Sequence, residues 1–359
     1  VRTDFTRTPK AEVLGHMIDD LKFASENLLE NPDNISDVGK LTKWAAIHLL
    51  SEVYLMAGEY AKAEEAALQV INSGYFHLMN ERFGAQKDQP GDVFSDMFLE
   101  YNQNRTSGNM ESIWVMQLEY DTNGGGGKYE DWTKRAWVPK YWNETGFTLC
   151  DSLGGRGLAQ IVPFKWWIDE DGFYTANDVR NSKYNIKRTW YYNNPETPEL
   201  LGKEAPVTES TWSKCTIYPV ITKFFYGKTD DSPSYEGNNK DRMKFRLAET
   251  YLLLAEARIR QNNASGAAEA INVVRKRAGA PDITASQATM DFLLDERIRE
   301  LVGEELRRLT LVRTGKLVER TRKYNSYSNK IDEHHALWPI PQTIIDSNTG
   351  ADFPQNTGY

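Results

Sequence analysis

Two stretches of this 359-residue chain carry the same pattern about two hundred residues apart, and that spacing limits the available folds more than any composition figure does. His48 to Gly74 aligns with Tyr251 to Gly279: Leu49-Leu50 sits over Leu252-Leu253 and Tyr54 over Ala257. After one inserted residue, Ala63, Glu65, Ala66 and Val70 fall on Ala267, Glu269, Ala270 and Val274. In the first copy Ala45, Leu49, Leu50, Val53, Tyr54 and Ala57 share one helical face. Ala63, Ala66, Ala67, Val70 and Ile71 then recur at i, i+3, i+4, i+7 and i+8, up to Gly74. Each copy therefore reads as two antiparallel helices joined by a Gly-containing turn, with small residues where they cross. A tandem solenoid would repeat without interruption, so something large separates these copies.

The hairpins have tetratricopeptide-like anatomy, and the expected fold is mainly α: a helical-hairpin frame with a long loop-rich insert containing short strands. One helix precedes the frame from Ala11, with Val13, Met17, Leu21, Ala24 and Leu28 as its apolar stripe, ending near Asn31-Pro32. Helical periodicity resumes at Met290 and ends near Gly315 or in the basic segment from Lys316 to Lys323. The prolines at 339 and 341 predict an extended stretch from His334 to Pro341. The chain thus reads as a single domain over 1–359, with helical repeats at 11–80 and 246–325, an insert at 81–245 and an extended tail at 326–359. Within the insert only Glu111 to Tyr120 alternates like a strand; such long irregular regions are more often functional than structural.

Charge and composition exclude several functions. Fifty-one Asp and Glu against 43 Lys and Arg give a net charge of −8, without the clustered basic face that nucleic acid needs. No run approaches the roughly 18 apolar residues needed to span a bilayer, and Val1-Arg2-Thr3-Asp4-Phe5 contains no signal-peptide core. Two cysteines, Cys150 and Cys215, permit one bridge or none. Gly127-Lys128 lacks the following Ser or Thr of a phosphate loop. His334 and His335 are adjacent and cannot share a helix face as metal ligands, so no metal and no cofactor is expected. Asp169, Asp171, Asn177 and Asp178 follow part of a calcium-loop order, but Arg180 stands where the closing Glu belongs and a solvated turn is the default. Glu296-Arg297, Arg299-Glu300 and Glu304 with Arg307-Arg308 read as a solvent-side charged face.

Aromatic residues make up 12% of the chain, and eight of the ten tryptophans lie in the insert. The densest run, Gly124 to Asn143, follows four glycines with Tyr129, Trp132, Trp137, Tyr141 and Trp142 in a polar setting. A neutral glycan offers apolar C–H faces edged by hydroxyls, so its binder needs exposed rings flanked by planar polar groups. The candidate ligand-binding residues are accordingly Tyr129, Trp132, Trp137, Tyr141, Trp142 and Asn143, with Trp166 added from the Trp166-Trp167 pair, where at most one ring can face a ligand.

Three C-terminal blocks carry a family resemblance. They are Arg246-Leu-Ala-Glu-Thr-Tyr-Leu-Leu-Leu-Ala-Glu-Ala with Ala270 to Gly279; Leu294-Asp-Glu-Arg297-Ile-Arg-Glu300-Leu-Val-Gly-Glu304-Glu-Leu-Arg307 with Val312 to Gly315; and Leu337-Trp-Pro-Ile-Pro341 with Gln355 to Tyr359. In that order they resemble the SusD/RagB family of outer-membrane nutrient-binding lipoproteins. Thr310 stands where that family usually places Asp, which bears on a local ion pair and not on the fold. The resemblance implies a non-catalytic, cell-surface protein, lipid-anchored to the outer membrane through a segment this chain lacks. Such a protein captures oligosaccharide or polysaccharide for a SusC-like TonB-dependent transporter. It also implies that the chain starts at what resembles the family's middle. A glycoside hydrolase, which needs two carboxylates across a cleft, and a helical-repeat protein–protein adaptor are the alternatives.

Overall fold

The computed structural model describes residues 2–33, 38–126, 131–169, 171–228 and 230–359. Its frame is the expected pair of hairpins: α2 (Lys43–Ala57) with α3 (Tyr60–Ile71), following α1 (Lys10–Asn27), and α8 (Leu247–Arg260) with α9 (Ala264–Arg277). Helix α3 lies directly against α8, so the two copies of the repeat build one continuous core. Ala63, Ala67, Val70, Ala257, Ala267 and Ile271 are fully buried there. Alanines at these crossings let the backbones approach closely. Gly58, at φ 79°, makes the left-handed turn that separates α2 from α3. Polar cross-links reinforce the register: His48 Nδ1 shares a proton with Thr250 Oγ1 at 2.9 Å, and Arg258 Nε donates to Glu64 at 2.7 Å. Helix α1 presents Leu14 and Ile18 inward, whereas Val13 is exposed; the stripe is rotated from the expected one because packing on α2 selects the Leu14, Ile18, Leu21 row.

The insert contains only short elements: α4 (Val93–Asp96), α5 (Thr133–Trp137), α6 (Lys165–Ile168), α7 (Glu209–Ser213) and two-residue pairings of β2 (Ile186–Lys187) with β5 (Val220–Ile221) and β3 (Trp190–Tyr191) with β4 (Glu204–Ala205). One ribbon is longer. Strand β1 (Ser112–Met116), within the expected 111–120 stretch, pairs antiparallel with β6 (Arg242–Arg246), placing Ser112 opposite Arg246 and Met116 opposite Arg242. Beyond α9 the expected single helical region divides into α10 (Met290–Leu301), α11 (Arg307–Thr314) and α12 (Leu317–Tyr324). Gly303, at φ 79°, makes the first break, and a side chain there would overlap Phe224 of the insert. The tail contains a 3-10 turn at Glu333–Ala336, with only Leu337 to Pro341 extended, then α13 (Gln342–Ser347). No helix among the described residues is long and apolar enough to cross a membrane.

Three of the charged residues of α10 that were expected on its solvent side point inward. Glu296, Arg297 and Glu300 are at most 1% exposed, which corrects the solvent-face expectation. Their partners come from distant parts of the chain, so spacing within the helix does not reveal them. Arg246 Nη1 donates to Glu111 at 2.8 Å and to Glu300, and its Nε donates to Glu304 at 2.6 Å. Arg277 bridges Glu111 (2.8 Å) and Glu300. Arg180 of the insert reaches Glu296 (2.8 Å) and Glu300 (3.1 Å) while held by Asp178 (2.7 Å). Asp178, considered above as an oxygen ligand, is therefore committed to Arg180. Lys223 Nζ adds contacts to Glu304 (2.5 Å) and to the Glu300 carbonyl (2.8 Å). In the place of the usual Asp, Thr310 donates its hydroxyl to Glu305 at 3.1 Å, and Glu305 also accepts from Arg297 at 2.6 Å.

These contacts govern the acid response. Burial alone would raise the carboxylates, but the nearby His48 ring, 3.6 Å away, and the Arg297 guanidinium, donating at 3.0 Å, hold Glu249 at about 2, and surrounding arginines keep Glu296, Glu300 and Glu305 below the ordinary value of 4.5. A carboxylate depressed in the folded state contributes stability that is complete above its unfolded pKa and is lost as pH falls through the folded one. The urea midpoint should therefore be level above about pH 5 and drop steeply from there towards about pH 2; a flat midpoint across that window would contradict the assignment. Because removing one partner strands the others without water, Glu300→Gln should cost about 3 kcal/mol or more in equilibrium unfolding near neutral pH.

Candidate functional site

The ribbon that carries Glu111 and Arg246 at one end opens into a cleft at the other. Past Met116 the chain runs through Leu118, Glu119 and Tyr120; before Arg242 it runs through Asn239, Lys240 and Asp241. Asp241 ties these segments together, accepting from the Leu118 amide at 2.8 Å and from Asn104 Nδ2 at 2.6 Å. With Glu100, Tyr101, Tyr226 and Lys228 they enclose about 190 Å³.

Three tyrosines give the cleft its character. Tyr226 is buried at its floor, Tyr120 forms a half-buried wall, and Tyr101 stands 68% exposed at its mouth. Tyr120 packs edge-on against Tyr235 with centroids 5.0 Å apart, and the Lys228 ammonium lies 5.3 Å from its ring centre. Lys240 Nζ donates to the carbonyls of Phe98 (2.5 Å), Lys223 (2.7 Å) and Phe225 (3.2 Å), tying the Phe98 segment to the Thr222–Phe224 turn beneath the site. Burial lowers its pKa to about 8. The Glu100 carboxylate and then burial push the Tyr101 hydroxyl up, so it stays a neutral donor.

Backbone strain concentrates here. Tyr101 (φ 69°), Asp121 (φ 52°) and Lys228 (φ 80°) are three of the six non-glycine residues with positive φ among those described. Each such conformation costs roughly 1 kcal/mol or more and persists only where surrounding contacts enforce it, commonly at functional sites.

Six of the seven sequence-predicted residues are described, and they divide among three surroundings. Tyr129 lies outside the described residues. Trp132 and Trp142 share a polar surface. Trp132 is 47% exposed beside Arg135 (4.5 Å), and half-buried Trp142 lies beside Arg156 (4.7 Å). Both guanidiniums reach Glu236, at 3.2 and 3.0 Å. Asn143 is exposed and follows Trp142 in the same 3-10 turn.

Tyr141 is a correction. It is fully buried against Trp190 and Phe147, and its hydroxyl donates to the Cys150 carbonyl (3.0 Å) and accepts from the Cys150 amide (3.1 Å), so no ligand can reach it. Trp137 is a second correction as an exposed platform: only 9% exposed, it stacks on Phe224 at 5.9 Å. With Trp166, which stacks on Tyr324 at 4.2 Å, it lines a different, apolar groove.

Sequence reasoning missed Tyr101, Tyr120 and Tyr226. A signal existed in the repeated Glu-Tyr pairs at 100–101 and 119–120. Their convergence depends on Asp241, more than a hundred positions further on.

Comparison with known proteins agrees with this architecture. The sequence profile of the SusD family matches residues 90–359. SusD-like protein P25 of Formosa agariphila is 23% identical over 374 residues, covering 95% of this chain and 63% of that protein. The starch-binding protein SusD of Bacteroides thetaiotaomicron is 27% identical over 348 residues, 89% of this chain and 60% of that protein. The chain thus spans about three fifths of the length of the curated relatives it matches. Among solved structures, surface glycan-binding protein A from Bacteroides thetaiotaomicron superposes with a TM-score of 0.71 at 23% identity, covering 96% of this chain and 70% of that one. The same protein in complex with laminarihexaose gives a TM-score of 0.69 at 23% identity over 96% of this chain and 70% of that one.

The burial assignments predict opposite outcomes for two substitutions. Tyr141→Phe removes two buried hydrogen bonds and should lower stability by about 1–2 kcal/mol. Trp132→Ala, at a half-exposed ring, should change it by under about 1 kcal/mol. Thermal or urea unfolding of the two variants checks this, and a reversed order would contradict it.

Proposed function

Because the chain belongs to the SusD family, we propose that it is a non-catalytic binding protein that captures oligosaccharide or polysaccharide at the cell surface. It delivers the glycan to a SusC-like TonB-dependent transporter while held to the outer membrane by a lipid. The observation that carries the reading is the tyrosine cleft. Tyr101 and Tyr120 supply rings for the C–H faces of a sugar, while Glu100, Glu119 and Asn239 supply polar groups at the ring edges for its hydroxyls. Asp241 has both carboxylate oxygens engaged by Leu118 and Asn104, which suits a brace better than a proton carrier.

The relatives' printed names favour glucans: one is a starch-binding protein, one is complexed with laminarihexaose and another is a laminarin-binding SusD-like protein. Different sugars on one frame imply that the loops around the cleft, and not the frame, choose the ligand.

Isothermal titration against starch-derived, laminarin-derived and other neutral oligosaccharides tests the reading. At least one should bind, and Tyr101→Ala and Tyr120→Ala should each weaken it by about tenfold or more, with unfolding unchanged in the variant at the exposed Tyr101. No reducing ends should appear on prolonged incubation. Absence of binding across the panel by the folded protein, or release of reducing sugar, would overturn the proposal.

A further inference from the structure

The aromatic residues that do not belong to the tyrosine cleft form a second cavity. The groove that holds Trp137 and Trp166 measures about 470 Å³ and lies between the 161–167 segment of the insert and helices α10 to α12. Its volume falls in the range of about 300–1,000 Å³ typical of small-molecule sites. Ile161, Phe164, Ile298 and Val302 add aliphatic and aromatic wall beside the two tryptophans, while the charged groups Glu305, Arg307 and Arg320 gather on the α11–α12 side, so the polar partners a sugar needs around its whole ring are confined to one side. A flat apolar ring suits these walls better.

The groove also holds an under-neutralised cation. Three arginines cluster around it, and their counter-charges are unequally shared. Arg297 pairs with Glu249 (3.0 Å) and Glu305 (2.6 Å); Arg320 pairs with Asp291 (3.1 Å) and Asp295. Arg307, whose side chain lines the groove and is 28% exposed, donates through Nη1 to Glu305 at 2.9 Å, the carboxylate already serving Arg297. Its Nε and Nη2 have no protein acceptor among the described residues. Burial, opposed by Glu305 and reinforced by Arg320 and Arg297, lowers the Arg307 pKa, as expected for a cation with too little negative charge nearby. A second donor, the Trp166 indole N–H, is buried without an acceptor among the described residues.

We propose that this groove is a second binding site, separate from the tyrosine cleft, for a small aromatic carboxylate. The ring lies against Trp137, Trp166, Ile298 and Val302, and the carboxylate accepts from the spare guanidinium donors of Arg307. A guanidinium–carboxylate pair of this kind is bidentate and charge-assisted, so both the charge and the planar fork matter.

The test is titration of the whole chain with cinnamate, cinnamyl alcohol and a neutral oligosaccharide that binds the tyrosine cleft, followed by tryptophan fluorescence and calorimetry. Cinnamate should bind and shift the tryptophan emission, with the alcohol about tenfold or more weaker. Arg307→Gln should weaken cinnamate by a similar factor while leaving oligosaccharide affinity unchanged. Ile161→Glu, at a rim position that is 44% exposed and so tolerant of substitution, places a repelling charge at the entrance and should abolish cinnamate binding without altering the unfolding midpoint. Failure of cinnamate to bind the wild-type chain, equal affinity for acid and alcohol, or displacement of cinnamate by the oligosaccharide would each overturn the proposal. So would cinnamate affinity unaffected by both substitutions.

Discussion

The fold depends on a charge cluster that holds a loop-built insert onto a helical frame. Glu300 sits at its centre, receiving Arg246, Arg277 and Arg180 from three separate parts of the chain. None of these groups can be hydrated, so the arrangement is all-or-none: complete, it offsets the desolvation of each charge; with one member lost, the rest are stranded. Apolar packing could have joined the same surfaces with equal strength. Fixed guanidinium–carboxylate geometry adds directional specificity, and here it sets where the β1–β6 ribbon begins.

From that anchor the ribbon transmits position to the cleft. Five residues of β1, at about 3.3 Å each, separate Glu111 from the loop bearing Tyr120, and four residues of β6 separate Arg246 from Asp241. The cleft is otherwise made of irregular chain, which has little regular backbone pairing to stiffen it. What holds it is a set of single-purpose contacts: Asp241 across the ribbon's open end and Lys240 beneath three carbonyls. The strained Tyr101 backbone is tolerable only on such a base, and it turns the ring outward where a ligand can stack on it. The separate groove around Trp166 uses the same construction, with the insert docked on α10 to α12 and Gly303 leaving room for Phe224.

Much of the frame was legible because its rules are local. Helical period and small residues at crossings identify both hairpins, and the repeat places them side by side. The break between α10 and α11 was not legible, since the Val302-Gly303 turn interrupts a pattern that remains apolar on both sides. Charges on α10 were misread for a different reason. Residues spaced at i, i+3 and i+4 look the same whether they face water or partners such as Arg180, 116 positions from Glu296. The elements of the aromatic run, α5 and the 3-10 turn at Tyr141–Asn143, are too short to have a readable face. Hence Trp132 emerged on the surface while Tyr141, nine positions on, went into a core. The cleft itself draws on residues near positions 100, 120, 226 and 240, and only the assembled fold brings them together.

The measurement that most directly tests this account is a crystal structure of the chain soaked with an oligosaccharide it is shown to bind. The account predicts a sugar ring stacked on Tyr101 or Tyr120, with hydroxyls within hydrogen-bonding distance of Glu100, Glu119 or Asn239. Sugar bound elsewhere, with the tyrosine cleft empty, would contradict it.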